Sequence, residues 1–406
     1  MKPVRTLYVC YFGLREPLVQ TQVLPYLREL AVAGLEVYLL TFEPKMKQRW
    51  TAQAFASEQD SLERDGIKWS ALAYHKSPSA PATLYDILRG TLSVVRLVRR
   101  HGIDVLHARA HIPLAMVLIA ARITPCAVVF DIRGLMAEEY ADAGLWAENS
   151  LKFRLIKRLE NAGIRKADQL VVLTGAMKRW LLNSRLRGAE NVEVIPCCVA
   201  FAGFNDAASK LEPPPETFEV IYAGSVTGLY LLEEMGRFFL EVRAREPRAF
   251  LRILTTSSAT EASERLRSVG LEPKDFWVGG VSAPEVPRYL HRARLGLSFR
   301  KSTFSQLAAS PTKIAEYLAA GLPVVSNAGI GDIDDLLEHE NVGVLVHDFK
   351  PETLATAACR VLQLVDDASV RARCLEVARR RFDLKTVGAQ GYIRVYRRIE
   401  QTLNVP

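Results

Sequence analysis

The sequence predicts two doubly wound α/β domains in series. Short, continuously apolar runs alternate with segments of helical period, a proline-rich break falls near the middle, and the same alternation starts afresh after it. A chain of 406 residues also exceeds one ordinary core, since domains run to roughly 100–200 residues.

Val4–Phe12 reads as a strand, Thr21–Ala33 as a helix and Leu35–Phe42 as a second strand. Val105–Leu106, Ala127–Phe130 and Leu170–Leu173 are further apolar runs, separated by the helical stretches Leu84–Arg100 and Leu151–Lys166. Runs without polar alternation are the pattern of parallel strands buried on both faces. Glu212-Pro213-Pro214-Pro215-Glu216 can continue neither a helix nor a central strand and reads as a linker. Beyond it come strand Phe218–Tyr222 with Ala223-Gly224-Ser225 at its end, helix Tyr230–Ala244, and strands Leu251–Leu254, Leu295–Phe299, Pro323–Ser326 and Val342–Val346. Ligands of such sheets bind beyond the carboxyl ends of the strands, so two facing domains are expected to share an interdomain cleft.

Composition sets limits. With 49% apolar and 24% charged residues the chain has ample core. The six cysteines form no C-x-x-C pair, which favours free thiols and a reducing compartment. Met1–Phe12 passes into Arg15 and Glu16 without a signal-peptide pattern, and the apolar run Ile112–Ala121 stops at Arg122, short of the ~20 residues that span a bilayer. A cytoplasmic protein is expected. Its net charge of +8 is N-terminal: residues 1–200 hold 27 Lys+Arg against 19 Asp+Glu, and residues 201–406 hold 26 of each. Arg96, Arg99 and Arg100, then Lys152, Arg154, Lys157 and Arg158, then Lys178, Arg179, Arg185 and Arg187 supply much of the excess. They are either solvated helix faces or a patch for an anionic membrane surface or phosphorylated acceptor. No aromatic-interleaved basic motif points to nucleic acid.

The best-defined site candidate is Ser310-Pro311-Thr312-Lys313-Ile314-Ala315-Glu316. A hydroxyl residue and a proline start a helix, whose first N–H groups and dipole favour an anion such as a diphosphate. Lys313 adds a positive charge in the first turn, and Glu316 can accept hydrogen bonds from a ribose diol. An ordinary capped helix with an exposed Lys and Glu is the alternative. Ala319-Ala320-Gly321-Leu322-Pro323-Val324-Val325 closes the helix and enters a strand.

The stretch SPTKIAEYLAAGLPVVSNAGIGD resembles the donor-binding segment of GT-B glycosyltransferases of the family-4 type, the group 1 glycosyl transferases. VQTQVLPYLRELAVAGLEVYLLTFE, DVLHARAHIP, VVFDIRGLMAEEY, ADQLVVLT, VEVIPCCV and VIYAGS follow that family in order, so the resemblance spans nearly the whole chain. It implies a GT-B fold, with residues 1–204 as an acceptor-binding Rossmann-like domain, 205–217 as linker and 218–383 as the nucleotide-sugar domain. Residues 384–406 are read as a C-terminal helix packing back on the N-terminal domain. Glu316 corresponds to the second glutamate of the family's E-x7-E motif, the ribose ligand, and Ala308 stands where the first would be. The basic pair expected after the first C-terminal strand is also missing, because Gly224–Tyr230 contains no Lys or Arg. Lys313, Arg300 and Lys301 are left to neutralise phosphate, with Ser310, Thr312, Gly224 and Ser225 as further donor contacts.

In the N-terminal half, Asp131 and Arg133 follow a strand, and Arg133 stands where many family members carry a His. Arginine cannot act as a base near neutral pH, but it can bind phosphate or orient an acceptor. Pairing of Asp131 with Arg133 is the structural alternative, and Glu138 and Glu139 follow as a possible acceptor-side pair. His107, Arg109 and His111 follow another strand, the first two as acceptor candidates. The H-x-x-x-H spacing lacks the context of a zinc site, and no metal or cofactor is expected, the nucleotide sugar being a substrate. Gln20, Thr21 and Gln22, read as the start of the first helix, are candidate phosphate or acceptor contacts.

The resemblance implies a metal-independent, hexosyltransferase-like enzyme that retains anomeric configuration, working in cell-surface polysaccharide or glycolipid assembly, with a lipid-linked acceptor suggested by the basic domain. Two rivals share the architecture: a nucleotide-sugar epimerase, and a non-catalytic sugar- or lipid-binding derivative. A nicotinamide-dependent dehydrogenase is disfavoured because neither half has G-x-G-x-x-G after its first strand.

Overall fold

The structure is a computed structural model that describes residues 3–184, 186, 188–208 and 217–403. The predicted linker segment Glu212–Glu216, and Arg185 and Arg187 of the basic set, lie outside the described residues. The chain divides into two compact units: Met1–Ala141, Trp146–Pro196 and Lys385–Pro406 form the first, and Asp142–Leu145 with Cys197–Leu384 form the second.

The first unit holds a seven-stranded parallel sheet in the order β3 (Ile67–Tyr74), β2 (Glu36–Pro44), β1 (Arg5–Cys10), β4 (Val105–Arg109), β5 (Ala127–Asp131), β6 (Gln169–Val172), β7 (Val192–Val194). β3 and β7 had no counterpart in the pattern reading, because polar residues interrupt their short apolar runs. The order reverses between β1 and β4, which places the ligand-binding crevice of a doubly wound sheet over the loops that follow those two strands. The Thr21–Ala33 reading is corrected. Two helices, Pro17–Gln22 and Leu24–Val32, meet at Val23, and a proline lies in the first turn of each. Pro25 has no N–H to continue the first helix and is tolerated only at the start of the next.

The C-terminal helix Gln390–Leu403 belongs to this unit and packs on its sheet through tyrosines. The Tyr396 hydroxyl lies 2.9 Å from Thr6 Oγ1 and 2.8 Å from His107 Nδ1, and the Tyr392 hydroxyl donates to Asp131 Oδ2 at 2.8 Å. Arg394 and Arg398 reach Glu193.

The second unit holds six parallel strands in the order β10 (Phe276–Gly279), β9 (Ala249–Leu254), β8 (Phe218–Ala223), β11 (Leu295–Ser298), β12 (Val324–Asn327), β13 (Gly343–Val346). Successive residues of β8 serve opposite cores: Phe218, Val220 and Tyr222 one, Ile221 the other. That alternation explains the unbroken apolar run. Strand order reverses between β8 and β11, bringing the loops at Gly224 and Arg300 together. The unit begins at Cys197 because Val199 is stitched to the chain near its far end: Val199 N–H donates to Phe382 O, and Leu384 N–H to Val199 O.

Candidate functional site

At the reversal point of the second sheet, helix Thr312–Ala319 projects from beside β11. Tyr317 fixes its position, accepting from Ala223 N–H at 2.9 Å and donating to Leu297 O at 3.2 Å, so one hydroxyl ties the helix to both central strands. One turn earlier, Lys313 is only 7% exposed. Its ammonium donates to the Tyr222 hydroxyl at 2.9 Å and sits 4.2 Å from the centroids of the Tyr222 and Tyr230 rings. Tyr222 in turn donates to Ser225 O.

Gly224 makes this approach possible. Its φ is +139°, a region essentially reserved for glycine, and a Cβ there would stand 3.0 Å from Lys313 Nζ. Arg300 follows β11, its guanidinium 5.1 Å from the Tyr230 ring and its N–H held by Asn327 Oδ1 at 2.8 Å. Arg300 Nε and Gln306 Oε1 are buried with no hydrogen-bond partner among the described residues. Unmade bonds of this kind are costly unless a ligand completes them.

Electrostatically the cluster is basic, with its charge opposed by burial. Burial, reinforced by Arg300, holds the Lys313 amine well below its ordinary pKa, against a smaller opposing pull from Glu316. Burial raises the Glu316 carboxyl, with Lys313 offsetting part of the shift. Desolvation thus works against charge on both groups, and a diphosphate would restore it on the lysine.

Ser310 departs from expectation. The N-cap of the helix is Pro311, without a side-chain cap bond, and Ser310 Oγ instead accepts from Cys197 N–H at 3.1 Å. Thr312 is half-buried in the first turn, and Ser225 Oγ bonds into its own loop at Thr227. Ala308 is fully buried in the 3-10 turn Phe304–Ala308.

The candidates of the first unit form an interior network. Asp131 ends β5 with no exposure. Beside it lie Tyr392, Arg109 at 3.6 Å, Arg133 at 3.7 Å and His107 at 3.9 Å. Burial alone would raise its pKa, but Arg133, His107 and Arg109 together hold the carboxyl at about 2. Arg133 has φ +55°, a left-handed conformation that turns the chain sharply after β5. His107 is wholly buried between the C-terminal tyrosines, and burial lowers its pKa; the structure brings it to the network and not to a ligand surface. Arg109 donates to the Tyr8 hydroxyl at 3.2 Å. Glu138 pairs with Lys157 at 2.6 Å, and His111 with Glu160 at 2.9 Å. No group of three or more His, Cys, Asp or Glu placed to hold a metal occurs among the described residues.

Gln20, Thr21 and Gln22 close the first helix instead of starting it. Carbonyls, not N–H groups, are unpaired at that end, so any contact with phosphate there would come from side chains. Gln20 donates to Leu14 O at 2.7 Å and Thr21 to Pro17 O at 2.9 Å, while Gln22 is buried. Pattern reading missed Tyr222, Tyr230 and Tyr317. The signal that was available is an aromatic residue on each side of a base-free Gly-Ser turn.

Two doubly wound domains, with a lysine helix at the reversal point of the second, make up the GT-B architecture. Family models agree: residues 19–198 match the glycosyl transferase 4-like domain and residues 220–364 match glycosyl transferases group 1. The chain belongs to the group 1 glycosyltransferases, and no helix among the described residues is long and apolar enough to cross a membrane. Similar solved structures include a Rickettsia africae glycosyltransferase, with 14% identity, TM-score 0.67 and coverage of 99% of this chain and 100% of that one. Anabaena HepE in complex with UDP has 17% identity and TM-score 0.67, covering 98% and 99%. A putative UDP-N-acetylglucosamine 2-epimerase from Listeria monocytogenes has 12% identity and TM-score 0.62, covering 98% and 97%. A sequence comparison with curated proteins found no match.

Proposed function

We propose that the enzyme transfers a sugar from a nucleotide-diphosphate-sugar to an acceptor hydroxyl with retention of configuration, and that the second unit binds the donor. The observation that carries this reading is the buried Lys313 ammonium, caged by Tyr222 and Tyr230 and approached closely by Gly224, with Arg300 beside it. Such a group gains most from a diphosphate, whose charge grows as the glycosidic bond breaks. Preorganised N–H groups and Lys313 stabilise that charge without a metal. The half-buried Glu316 carboxyl, raised by burial and forming no salt bridge with Lys313, is suited to a ribose diol. The reaction consumes the nucleotide sugar as substrate and uses no cofactor. The basic excess of the first 200 residues supports a setting in cell-surface polysaccharide or glycolipid assembly, at an anionic membrane face.

Solved structures of Anabaena HepE with UDP and with UDP-glucose make UDP the first ligand, and UDP-glucose the first donor, to try. Stabilisation by a nucleotide sugar on heating, followed by product whose anomeric proton coupling matches the donor, is the expected result. No stabilisation by any nucleotide sugar, or an inverted product, rejects the reading. The likeness to an epimerase makes incubation with donor alone the necessary control, since an epimerase converts it without acceptor.

A further inference from the structure

The first unit encloses a second candidate site, a cavity of about 700 Å³ over the carboxyl ends of β1 and β4, where strand order reverses. Its wall is mostly apolar. Phe12, Phe42 and Tyr74 come from strand ends, and Tyr140 and Trp146 are tilted against each other at 4.5 Å. The two long walls are helices Ser79–His101 and Leu151–Lys166, which contribute Leu84 and Ile87, and Leu155 and Ile156. Gly90 lets the first of these helices press onto Met116 and Phe42, where any Cβ would overlap the Met116 sulfur.

The outward faces of both helices are unusual for helices facing water. On Ser79–His101, Leu84 is 59% exposed, Leu88 55% and Leu92 66%, one turn apart, with Tyr85 beside them and Arg96 and Arg100 continuing the row. On Leu151–Lys166, Leu151 and Leu155 are 63% and 51% exposed between Lys152, Arg154 and Arg158. A solvated helix carries polar residues on this face, and contiguous exposed leucines mark a binding surface. The only carboxylates on the two helices are Asp86 and Glu160. Both are buried and internally bonded, Asp86 to Tyr11 and His75, Glu160 to His111 and Lys157. The outer faces are therefore leucine and cation without a compensating acid, the composition of helices that lie in an anionic bilayer interface. Leu84 and Leu155 belong to both surfaces, lining the cavity while remaining half exposed, so the apolar interior is continuous with the apolar exterior.

We infer that this face docks on an anionic bilayer and that the cavity takes a hydrocarbon chain of the lipid acceptor drawn from it, the headgroup phosphate resting among Lys152 and its basic neighbours. This rests on the transferase reading only for the word acceptor; the lipid site itself is tested separately. The full chain is sedimented with vesicles of phosphatidylcholine alone and with vesicles of equal parts phosphatidylcholine and phosphatidylglycerol, and is titrated calorimetrically with dodecyl phosphate and with inorganic phosphate.

Sedimentation is expected only with the phosphatidylglycerol vesicles, weakening as salt is raised. It should fall at least tenfold in the Leu84→Glu/Leu88→Glu variant, whose changed side chains are already exposed and need not disturb the fold. Dodecyl phosphate should bind at least tenfold more tightly than inorganic phosphate, with Ile156→Trp removing that advantage by filling the cavity. Equal sedimentation of the double variant, or equal binding of the two phosphates, overturns the proposal. Thermal stabilisation by UDP, measured on the same proteins, should not change. Absence of stabilisation by UDP and by every other nucleotide or nucleotide sugar tried would sink the donor reading, while the vesicle and phosphate data would still decide the lipid site.

Discussion

The two units each bury charge at the end of a central strand, and they treat it in opposite ways. Around Asp131 one carboxylate lies within 4 Å of two arginines and a histidine and accepts from a tyrosine hydroxyl of the C-terminal helix, so the first unit sets opposite charges side by side, while Asp131 Oδ1 has no hydrogen-bond partner among the described residues. Around Lys313 the nearest groups are two phenol rings, a second cation in Arg300 and a half-buried glutamate that forms no salt bridge with it. Removing one member of a buried ion pair is strongly destabilising, whereas a buried basic group without a paired acid marks a candidate ligand site.

The sharpest way to break that contrast is to remove the central member of each cluster. Asp131→Ala strands Arg109 and Arg133 without their carboxylate, and chemical denaturation should show a loss of about 3–5 kcal/mol. Because the folded carboxyl lies at about 2 against an ordinary 3.8, its contribution is present above the higher value and fades as acid carries it toward the lower. The variant should accordingly lose part of the wild-type stability slope in that window.

Lys313→Met should do the reverse. Transfer falls by about 10²–10³-fold, the cost of losing one preorganised group at a developing anion, while stability stays level or rises. A lysine whose folded pKa is lowered binds fewer protons folded than unfolded, so wild-type stability climbs with pH between the two values; the methionine variant should lack that climb. If Lys313→Met instead unfolds the protein, the contrast between the units is wrong.

Smaller changes sharpen it. Glu316→Gln should weaken donor binding about 10–100-fold, as for hydrogen bonds to a charged acceptor, with the unfolding midpoint unmoved. Gly224→Ala places a methyl against the Lys313 amine in a conformation only glycine adopts readily; a stability loss of about 1–3 kcal/mol with a raised donor KM is expected. Thr21→Ala should change neither transfer nor stability by more than about 0.5 kcal/mol, since its hydroxyl bonds only to its own helix. A large loss of acceptor turnover there would return the first helix to the site.

Much of the site was legible where chemistry is local. Lys313 and Glu316 lie one turn apart on a helix that a proline starts and a glycine ends, so their common face follows from helical spacing alone. The candidates of the first unit were harder to read, because His107 and Asp131 are far apart in sequence and meet each other and Tyr392 only through the parallel sheet and the returning C-terminal helix. Gln20–Gln22 were misplaced by a helix break at Val23, where Pro25 interrupts a pattern whose apolar period hardly changes.

By itself the sequence determined the two α/β units and the lysine helix, since hydrophobic period, proline and glycine act over a few residues. Only the tertiary structure decided which charges are satisfied. A buried ion's partners are chosen by strand order and helix docking: Asp131 finds two arginines, Lys313 finds tyrosines, and two helices are left with leucines facing outward.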